Sequence, residues 1–119
     1  CIKSLTEHFS SAKICKSTKI GEGSVVLMGA IINSNSNIEE ATIINSGSII
    51  EHDCSIKFSS HICPGSYLAG NVEIGKYSFI GIGSRVIQNI KVVDKVIVGA
   101  GSTILNDILK PKTIKGIFR

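Results

Sequence analysis

Branched aliphatic residues recur at every sixth position along most of this chain. The series begins at Ile14 and runs to Ile104 without a gap or a shift. An α-helix repeats every 3.6 residues and a plain strand every 2, so neither element alone produces a period of six. A coil of short strands joined by tight corners does. We therefore predict a solenoid in which three hexads form one triangular coil of about 18 residues.

Two further columns keep the same register. The position two residues before each aliphatic residue is mostly small, as in Ser24, Ala30 and Ser36, which predicts short strands with one large and one small inward side chain. The position three residues after it holds residue types that tolerate positive φ, as a sharp corner requires. These corner residues are Gly23, Gly29, Asn35, Gly47, Asp53, Gly65, Asn71, Gly83, Asn89, Gly101 and Asp107.

The repeats indicate one domain with two short ends. We predict an irregular N-terminal cover over residues 1–11, uninterrupted hexads over residues 12–107 and a C-terminal extension over residues 108–119, where Pro111 interrupts the register. The chain opens with Cys1 instead of Met, so we expect it to be a fragment or a processed chain.

Composition favours this solenoid over an ordinary globule. Four Phe, two Tyr and no Trp would fill a conventional core poorly, whereas stacked aliphatic layers need no aromatic residues. The net charge of +4 is scattered, which argues against a nucleic-acid partner, and no apolar stretch is long enough to span a membrane. The four cysteines show no CxxC spacing, so we expect reduced thiols in a cytoplasmic protein.

The outward residues that precede each aliphatic residue sort into three faces. One face is polar, the second is apolar except for a histidine, and the third is apolar in its middle. The polar face holds Lys19, Asn37, Ser55, Glu73 and Lys91. The apolar face with the histidine holds Val25, Ile43, His61, Phe79 and Ile97. The third face holds Lys13, Ile31, Ile49, Tyr67, Arg85 and Thr103. Two apolar faces on so small a protein imply a partner, and we predict a homotrimer with heterologous contacts.

Two histidines are candidates for chemistry. His52 lies at a predicted corner between Glu51 and Asp53, and a nearby carboxylate raises the pKa of an imidazole and fixes its tautomer, as a general base requires. The alternatives are a solvent-exposed corner for His52 and a purely backbone role for Asp53. His61 is either an interface residue or a cofactor contact. The two histidines are half a coil apart, so they should meet only between subunits, in one cleft of the trimer.

Several segments of the repeats resemble a known family. They are NSGSIIEHDCSI from Asn45, SHICPG from Ser60, LAGNVEIG from Leu68, FIGIG from Phe79 and VGAGS from Val98. Over nearly the whole chain they resemble the hexapeptide-repeat acyltransferases. More narrowly, they resemble the bacterial sialic-acid O-acetyltransferases and the nucleotide-amino-sugar N-acetyltransferases of the bacillosamine pathway. The Glu-His-Asp-Cys segment, with a second histidine nine residues after the first, is the most specific part.

The resemblance implies an all-β fold, a left-handed parallel β-helix of about five to six coils. It also implies an obligate homotrimer with acetyl-CoA between subunits, and direct acetyl transfer to an amine or hydroxyl of a sugar or nucleotide sugar. His52 would be the general base, and Asp53 would raise its basicity. The cofactor-binding residues would be His61, Gly70, Gly81, Ile82, Gly83 and Ala100, and no metal is expected.

Two departures from the family leave other functions open. Its members usually carry an N-terminal Rossmann-like domain, which these residues do not include, and a Gly-x-Pro-Ala-basic tail, where this chain has Gly116-Ile-Phe-Arg119. A metal-binding trimer like carbonic anhydrase would need three histidine ligands, and only the unplaced His8 could join His52 and His61. A non-catalytic scaffold is the other alternative. An ice-binding surface would need a ladder of outward Thr, which the sequence lacks.

Overall fold

Three parallel β-sheets run along a rod-shaped solenoid. A computed structural model describes residues 7–8 and 10–119, and it describes side chains from residue 10 onward. The rod measures 42 × 27 × 22 Å and consists of two-residue strands joined by turns. This is the predicted left-handed parallel β-helix of hexapeptide repeats, with about six coils. No helix that could cross a membrane occurs in the described part of the chain.

The strands alternate among the three sheets in chain order. Sheet A contains β1 (Glu7–His8), β4 (Val25–Val26), β7 (Ile43–Ile44), β10 (His61–Ile62), β13 (Phe79–Ile80), β16 (Ile97–Val98) and β18 (Thr113–Ile114). Sheet B contains β2 (Lys13–Ile14), β5 (Ile31–Ile32), β8 (Ile49–Ile50), β11 (Tyr67–Leu68), β14 (Arg85–Val86), β17 (Thr103–Ile104) and β19 (Ile117–Phe118). Sheet C contains β3 (Lys19–Ile20), β6 (Asn37–Ile38), β9 (Ser55–Ile56), β12 (Glu73–Ile74) and β15 (Lys91–Val92).

The core is a stack of aliphatic layers. Each strand pairs with the strand one coil away, so that Leu68 lies over Ile50 and Val86 over Leu68. The repeated aliphatic side chains are buried from Val26 to Ile104, whereas Ile14 and Ile20 at the N-terminal end are only partly buried. The six-residue period therefore places one branched side chain of each strand in a continuous apolar column.

The small inward column is hydrogen-bonded as well as compact. Its hydroxyl groups donate to backbone carbonyls 15 residues later, for example from Ser60 to Gly75 at 2.7 Å and from Ser66 to Gly81 at 2.9 Å. Cys54 occupies the same column, and its thiol donates to the Ala69 carbonyl at 3.2 Å. Burial raises the pKa of this thiol. The buried serines thus satisfy carbonyls that turn away from the sheets at the corners.

The corners adopt the predicted left-handed conformation at ten of the eleven positions. Asp107 does not, because the chain has left the hexad register there, and its carboxylate instead accepts a hydrogen bond from the Lys91 N–H at 2.8 Å. Four further non-glycine residues with positive φ were not predicted from their type: Ala41, Ser59, Tyr77 and Lys95. They occupy the turns between sheets C and A.

Both ends continue the sheets beyond the regular hexads. Glu7–His8, in the segment expected to be irregular, pairs in parallel with β4. Most of the expected N-terminal cover, including Cys1, lies outside the described residues, as does the side chain of His8. At the other end, β18 pairs with β16 and β19 with β17, while Ile108 forms a bridge to Val92. The C-terminal extension therefore forms a last, shortened coil.

Candidate active site

His52 lies at the corner between sheets B and C, directly after β8 and Glu51. The corner backbone is held from both sides, because the Asp53 N–H donates to the Ser34 carbonyl of the coil below and the His52 carbonyl accepts from the Asn71 N–H of the coil above. Asp53 has a φ of 59°. This conformation turns the chain sharply and leaves both side chains at the surface.

His52 and Asp53 form a hydrogen-bonded pair. Nδ1 of His52 lies 2.9 Å from Oδ2 of Asp53, and the two side chains are 60% and 55% exposed. A carboxylate accepts a hydrogen bond and cannot donate one when ionised, so the proton of the neutral imidazole resides on Nδ1. Nε2 is then unprotonated, which is the state that a general base needs.

Gly70 provides the space that the His52 ring occupies. A Cβ atom at Gly70 would lie 2.6 Å from both Cε1 and Nε2 of His52. Any side chain at this position would therefore displace the imidazole. We expected Gly70 to lack a side chain so that the cofactor could approach the backbone. Within the protomer, the His52 ring already occupies the space that a side chain at Gly70 would need.

Glu51, the other carboxylate beside His52 in the sequence, makes different contacts. Its Oε1 accepts a hydrogen bond from the Tyr67 hydroxyl at 2.7 Å, and its Oε2 accepts one from Asn33 Nδ2 at 2.9 Å. Of the two flanking carboxylates, only Asp53 is hydrogen-bonded to the imidazole. No motif in the sequence indicated this arrangement, since Asn33 and Tyr67 lie in the neighbouring coils.

His61 lies on the outer surface of sheet A and is fixed by Asn45. Nδ2 of Asn45 lies 3.0 Å from Nε2 of His61, while Oδ1 of Asn45 accepts the Ser46 N–H at 2.8 Å. That second bond orients the amide, so Nε2 is the acceptor and the proton of His61 is on Nδ1. The ring also packs edge-on against Phe79 with centroids 5.3 Å apart. Burial lowers the pKa of His61, which favours the neutral form.

The other predicted cofactor residues line the corner between sheets A and B. Ile82 is 55% exposed there. The Ile82 carbonyl accepts a hydrogen bond of 2.8 Å from the N–H of Gly101, the residue that follows Ala100. A Cβ at Gly81 would lie 2.5 Å from the Val98 carbonyl oxygen, whereas Gly83 has a φ of 67° and open space around it. Both glycines thus have reasons within the fold to lack a side chain.

The predicted site residues form two separate groups in one protomer. His52, Asp53 and Gly70 lie at the corner between sheets B and C. His61, Gly81, Ile82, Gly83 and Ala100 lie on sheet A and the corner that follows it. As predicted from the half-coil spacing, the two histidines lie on opposite sides of the prism. No group of three or more His, Cys, Asp or Glu side chains able to hold a metal occurs within the described residues.

Solved structures of sugar acetyltransferases are similar to this chain. The acetyltransferase domain of PglB from Neisseria gonorrhoeae is 35% identical, with a TM-score of 0.95 over 96% of this chain and 56% of that one. PerB from Caulobacter crescentus, solved with CoA and GDP-perosamine, is 35% identical, with a TM-score of 0.91 over 98% of this chain and 55% of that one. The chain thus spans about half the length of these proteins.

Other comparisons add less. AntD, an N-acyltransferase from Bacillus cereus solved with dTDP and 3-hydroxybutyryl-CoA, has a TM-score of 0.84 over 95% of this chain and 78% of that one. At 14% identity, it supports the fold alone. No family model and no curated protein matches the chain. Together the solved structures confirm the resemblance to hexapeptide-repeat acetyltransferases of sugars.

Proposed function

The chain is a relative of the hexapeptide-repeat sugar acetyltransferases, and from this premise we propose that it transfers an acetyl group from acetyl-CoA to an amine or hydroxyl of a sugar or nucleotide sugar. The observation that carries the proposal is the His52–Asp53 pair, at 2.9 Å, on an exposed corner. Support comes from the C. crescentus enzyme, which was solved with CoA and a sugar nucleotide, also in variants with one histidine replaced by Ala or Asn.

In this proposal, His52 acts as a general base. Nε2 accepts a proton from the acceptor while the acceptor nitrogen or oxygen attacks the thioester carbon of acetyl-CoA. The resulting tetrahedral intermediate collapses, the carbon–sulfur bond breaks, and the proton passes to the departing CoA thiolate. Asp53 keeps the His52 proton on Nδ1 and stabilises the imidazolium that forms.

We further propose that the site is completed by a second subunit of a homotrimer. Sheet B of one subunit would face sheet A of the next, so that His52 and His61 line one cleft. Exposed apolar side chains on these surfaces support this arrangement, with Phe79 41% and Ile97 50% exposed. His61 Nδ1–H or a backbone N–H would then stabilise the oxyanion, and Ile82 and Ala100 would line the pantetheine path.

A cytoplasmic location completes the proposal. The three cysteines in the described residues, Cys15, Cys54 and Cys63, are free thiols. Unpaired thiols persist in a reducing compartment, where acetyl-CoA is available as the acyl donor.

Replacing the base tests the mechanism. His52→Ala should lower kcat by about 10²–10⁴-fold, which is the usual contribution of a positioned base, and should leave acetyl-CoA binding intact. Turnover is followed by release of free CoA, and binding by calorimetry. Gln88→Ala is the control, since Gln88 is exposed at the corner between sheets B and C. Wild-type turnover in His52→Ala would end the assignment of the base, and a wild-type protein that binds no acetyl-CoA would end the transferase proposal in favour of a scaffold.

A further inference from the structure

A buried serine of the coil below holds both ends of the corner that carries His52. Ser36 belongs to the small inward column and lies directly before a strand of sheet C. Its hydroxyl donates to the Glu51 carbonyl at 2.9 Å and accepts the Cys54 N–H at 3.1 Å. Glu51 directly precedes His52, and Cys54 directly follows Asp53. One side chain thus ties together the two ends of the segment that carries the proposed base and its partner.

This serine completes a set of hydrogen bonds that fixes the corner backbone. The Asp53 N–H donates to the Ser34 carbonyl at 2.9 Å, and the His52 carbonyl accepts the Asn71 N–H at 2.9 Å. With the two bonds of Ser36, each of the four residues 51–54 has a backbone group bonded to a neighbouring coil. Because the His52 side chain is 60% exposed, packing alone holds the ring only weakly. The position of the ring therefore depends on a backbone that does not move.

The other members of this column show that the fold does not require such a serine. The column that precedes sheet C contains Thr18, Ser36, Cys54, Val72 and Ile90. The side chain of Val72 has no hydrogen-bonding atom, yet Asn89 in the corner above it has a φ of 63°, close to the 59° of Asp53. Within the part of the chain that the structure describes, Ser36 is the one member of this column whose side chain bonds to both ends of a corner.

We propose that Ser36 is a positioning residue for the His52 base. This proposal rests on the proposed acetyltransferase function. Because Ser36 is buried, it acts through the backbone of residues 51–54 and not by contact with a substrate. Without its hydroxyl, the Glu51 carbonyl and the Cys54 N–H lose a partner and the corner loosens. Nε2 of His52 is then no longer held in one place, and a small displacement of a base is enough to slow a reaction.

Ser24 offers a matched control, because it makes the same two hydrogen bonds at a corner without proposed site residues. Its hydroxyl donates to the Glu39 carbonyl at 2.8 Å and accepts the Thr42 N–H at 3.0 Å, between sheets C and A. Like Ser36, it is buried. Replacing either serine by alanine therefore removes the same bonds and should lower the melting temperature by a similar amount.

Turnover should distinguish the two serines. We expect Ser36→Ala to lower kcat by about tenfold or more, and Ser24→Ala to keep the wild-type kcat at a temperature where both variants are folded. Ser36→Thr should retain activity, because it keeps the hydroxyl and Thr18 occupies the same column. Ser36→Cys matches Cys54 in that column and serves as a second variant. It should also lose activity, since a thiol is a weak donor and a weak acceptor.

The state of the imidazole provides a readout that does not require turnover. In NMR spectra of protein with ¹⁵N-labelled histidine, the His52 signals are those that disappear in His52→Ala. They should show a proton on Nδ1 in the wild-type protein, because Asp53 accepts it. In Ser36→Ala this Nδ1–H signal should shift or broaden as the pair with Asp53 loosens, and in Ser24→Ala it should stay unchanged.

The outcomes separate this proposal from the function on which it rests. An equal loss of kcat in Ser24→Ala and Ser36→Ala would overturn the positioning role, because general destabilisation would then be the cause. Wild-type kcat in Ser36→Ala would overturn it as well. A wild-type protein without transferase activity would overturn the proposed function, while the His52 spectra of the two alanine variants would still decide whether Ser36 holds the ring.

Discussion

The position of the His52 imidazole depends on a neighbour that has no side chain. The ring lies over Gly70, and its Nδ1 is tied to Asp53. The pair with Asp53 sets the tautomer, and the gap at Gly70 sets where Nε2 points. A general base must be placed to within fractions of an ångström, so both contacts bear on the proposed reaction.

Adding one methyl group at Gly70 should separate catalysis from stability. In Gly70→Ala, the clash is with the end of a flexible side chain, so the ring can move while the fold stays intact. We expect kcat to fall by about 10–100-fold with little change in the melting temperature, because the base is displaced by about an ångström.

A double-mutant cycle with His52→Ala checks this cause. If Gly70 acts only through the imidazole, Gly70→Ala should have no further effect once His52 is absent. An additive loss of kcat would show that Gly70 acts independently of His52, for example by direct contact with the cofactor.

Single residues were predicted only where their chemistry is distinctive. The neighbouring Asp53 singled out His52 as the candidate base, and that role stays a prediction. The nine-residue spacing placed His61 on the opposite side of the prism, where the structure has it. Asn45, which orients His61, was missed, because asparagine is common at turns and nothing marked this one. The contacts of Glu51 were also missed, since they depend on which side chains lie 16 and 18 residues away on the outer face.

At the scale of the element, all three corners of the coil contain residues with positive φ, but each corner uses different residue types. From Gly29 onward, the corner between sheets A and B is glycine at every coil, and the corner between sheets B and C is Asn or Asp at its positive-φ positions. The corner between sheets C and A mostly uses residues that disfavour positive φ, such as Ala41 and Tyr77, with φ of 56° and 57°. Residue type predicted the first two corners, but at the third it predicted only Gly23. At the other positions of the third corner, the strands on either side impose the conformation.

A reciprocal pair of substitutions measures the strain at the corners. Ala41→Gly should raise the free energy of unfolding, and Gly47→Ala should lower it, each by about 1 kcal/mol, because left-handed backbone is costly for residues with a Cβ. A Cβ atom at Gly47 would meet no other atom within 4 Å. The loss of stability in Gly47→Ala would therefore come from the backbone conformation and not from a steric clash. Urea unfolding provides both values. Destabilisation by both substitutions would show that the corner conformation is not the source of the difference.

At the scale of the whole molecule, the three faces have distinct chemistry. Sheet C carries a ladder of alternating charges in which Lys57 lies 3.6 Å and Lys91 lies 3.7 Å from Glu73. Sheet A presents Phe79 and Ile97 to the surface. The fold was predictable because one period determines every coil. The assembly depends on how outer faces meet, and the sequence of one chain only ranks those faces by polarity.

A charge on sheet A should separate the proposed subunits. We expect Ile97→Asp to shift the protein from trimer to monomer in light scattering and to abolish acetyl transfer, because the buried carboxylate would be unpaired and the cleft would be incomplete. Asn37→Asp on sheet C is the matched control and should remain trimeric. A wild-type protein that is monomeric in solution, or a monomeric Ile97→Asp that keeps its activity, would contradict the shared site.

The shortened last coil has a consequence for the behaviour of the rod in concentrated solution. A solenoid that ended on a regular coil would offer flat, unpaired strand edges on which another rod could stack, and the product would be a fibre. Here the terminal strands β18 and β19 are out of step with the hexads, and Pro111, Lys110, Lys112 and Lys115 lie beside them. Proline and lysine at an edge oppose such growth. Residues 108–119 thereby oppose the stacking of a second rod on this edge of the described solenoid.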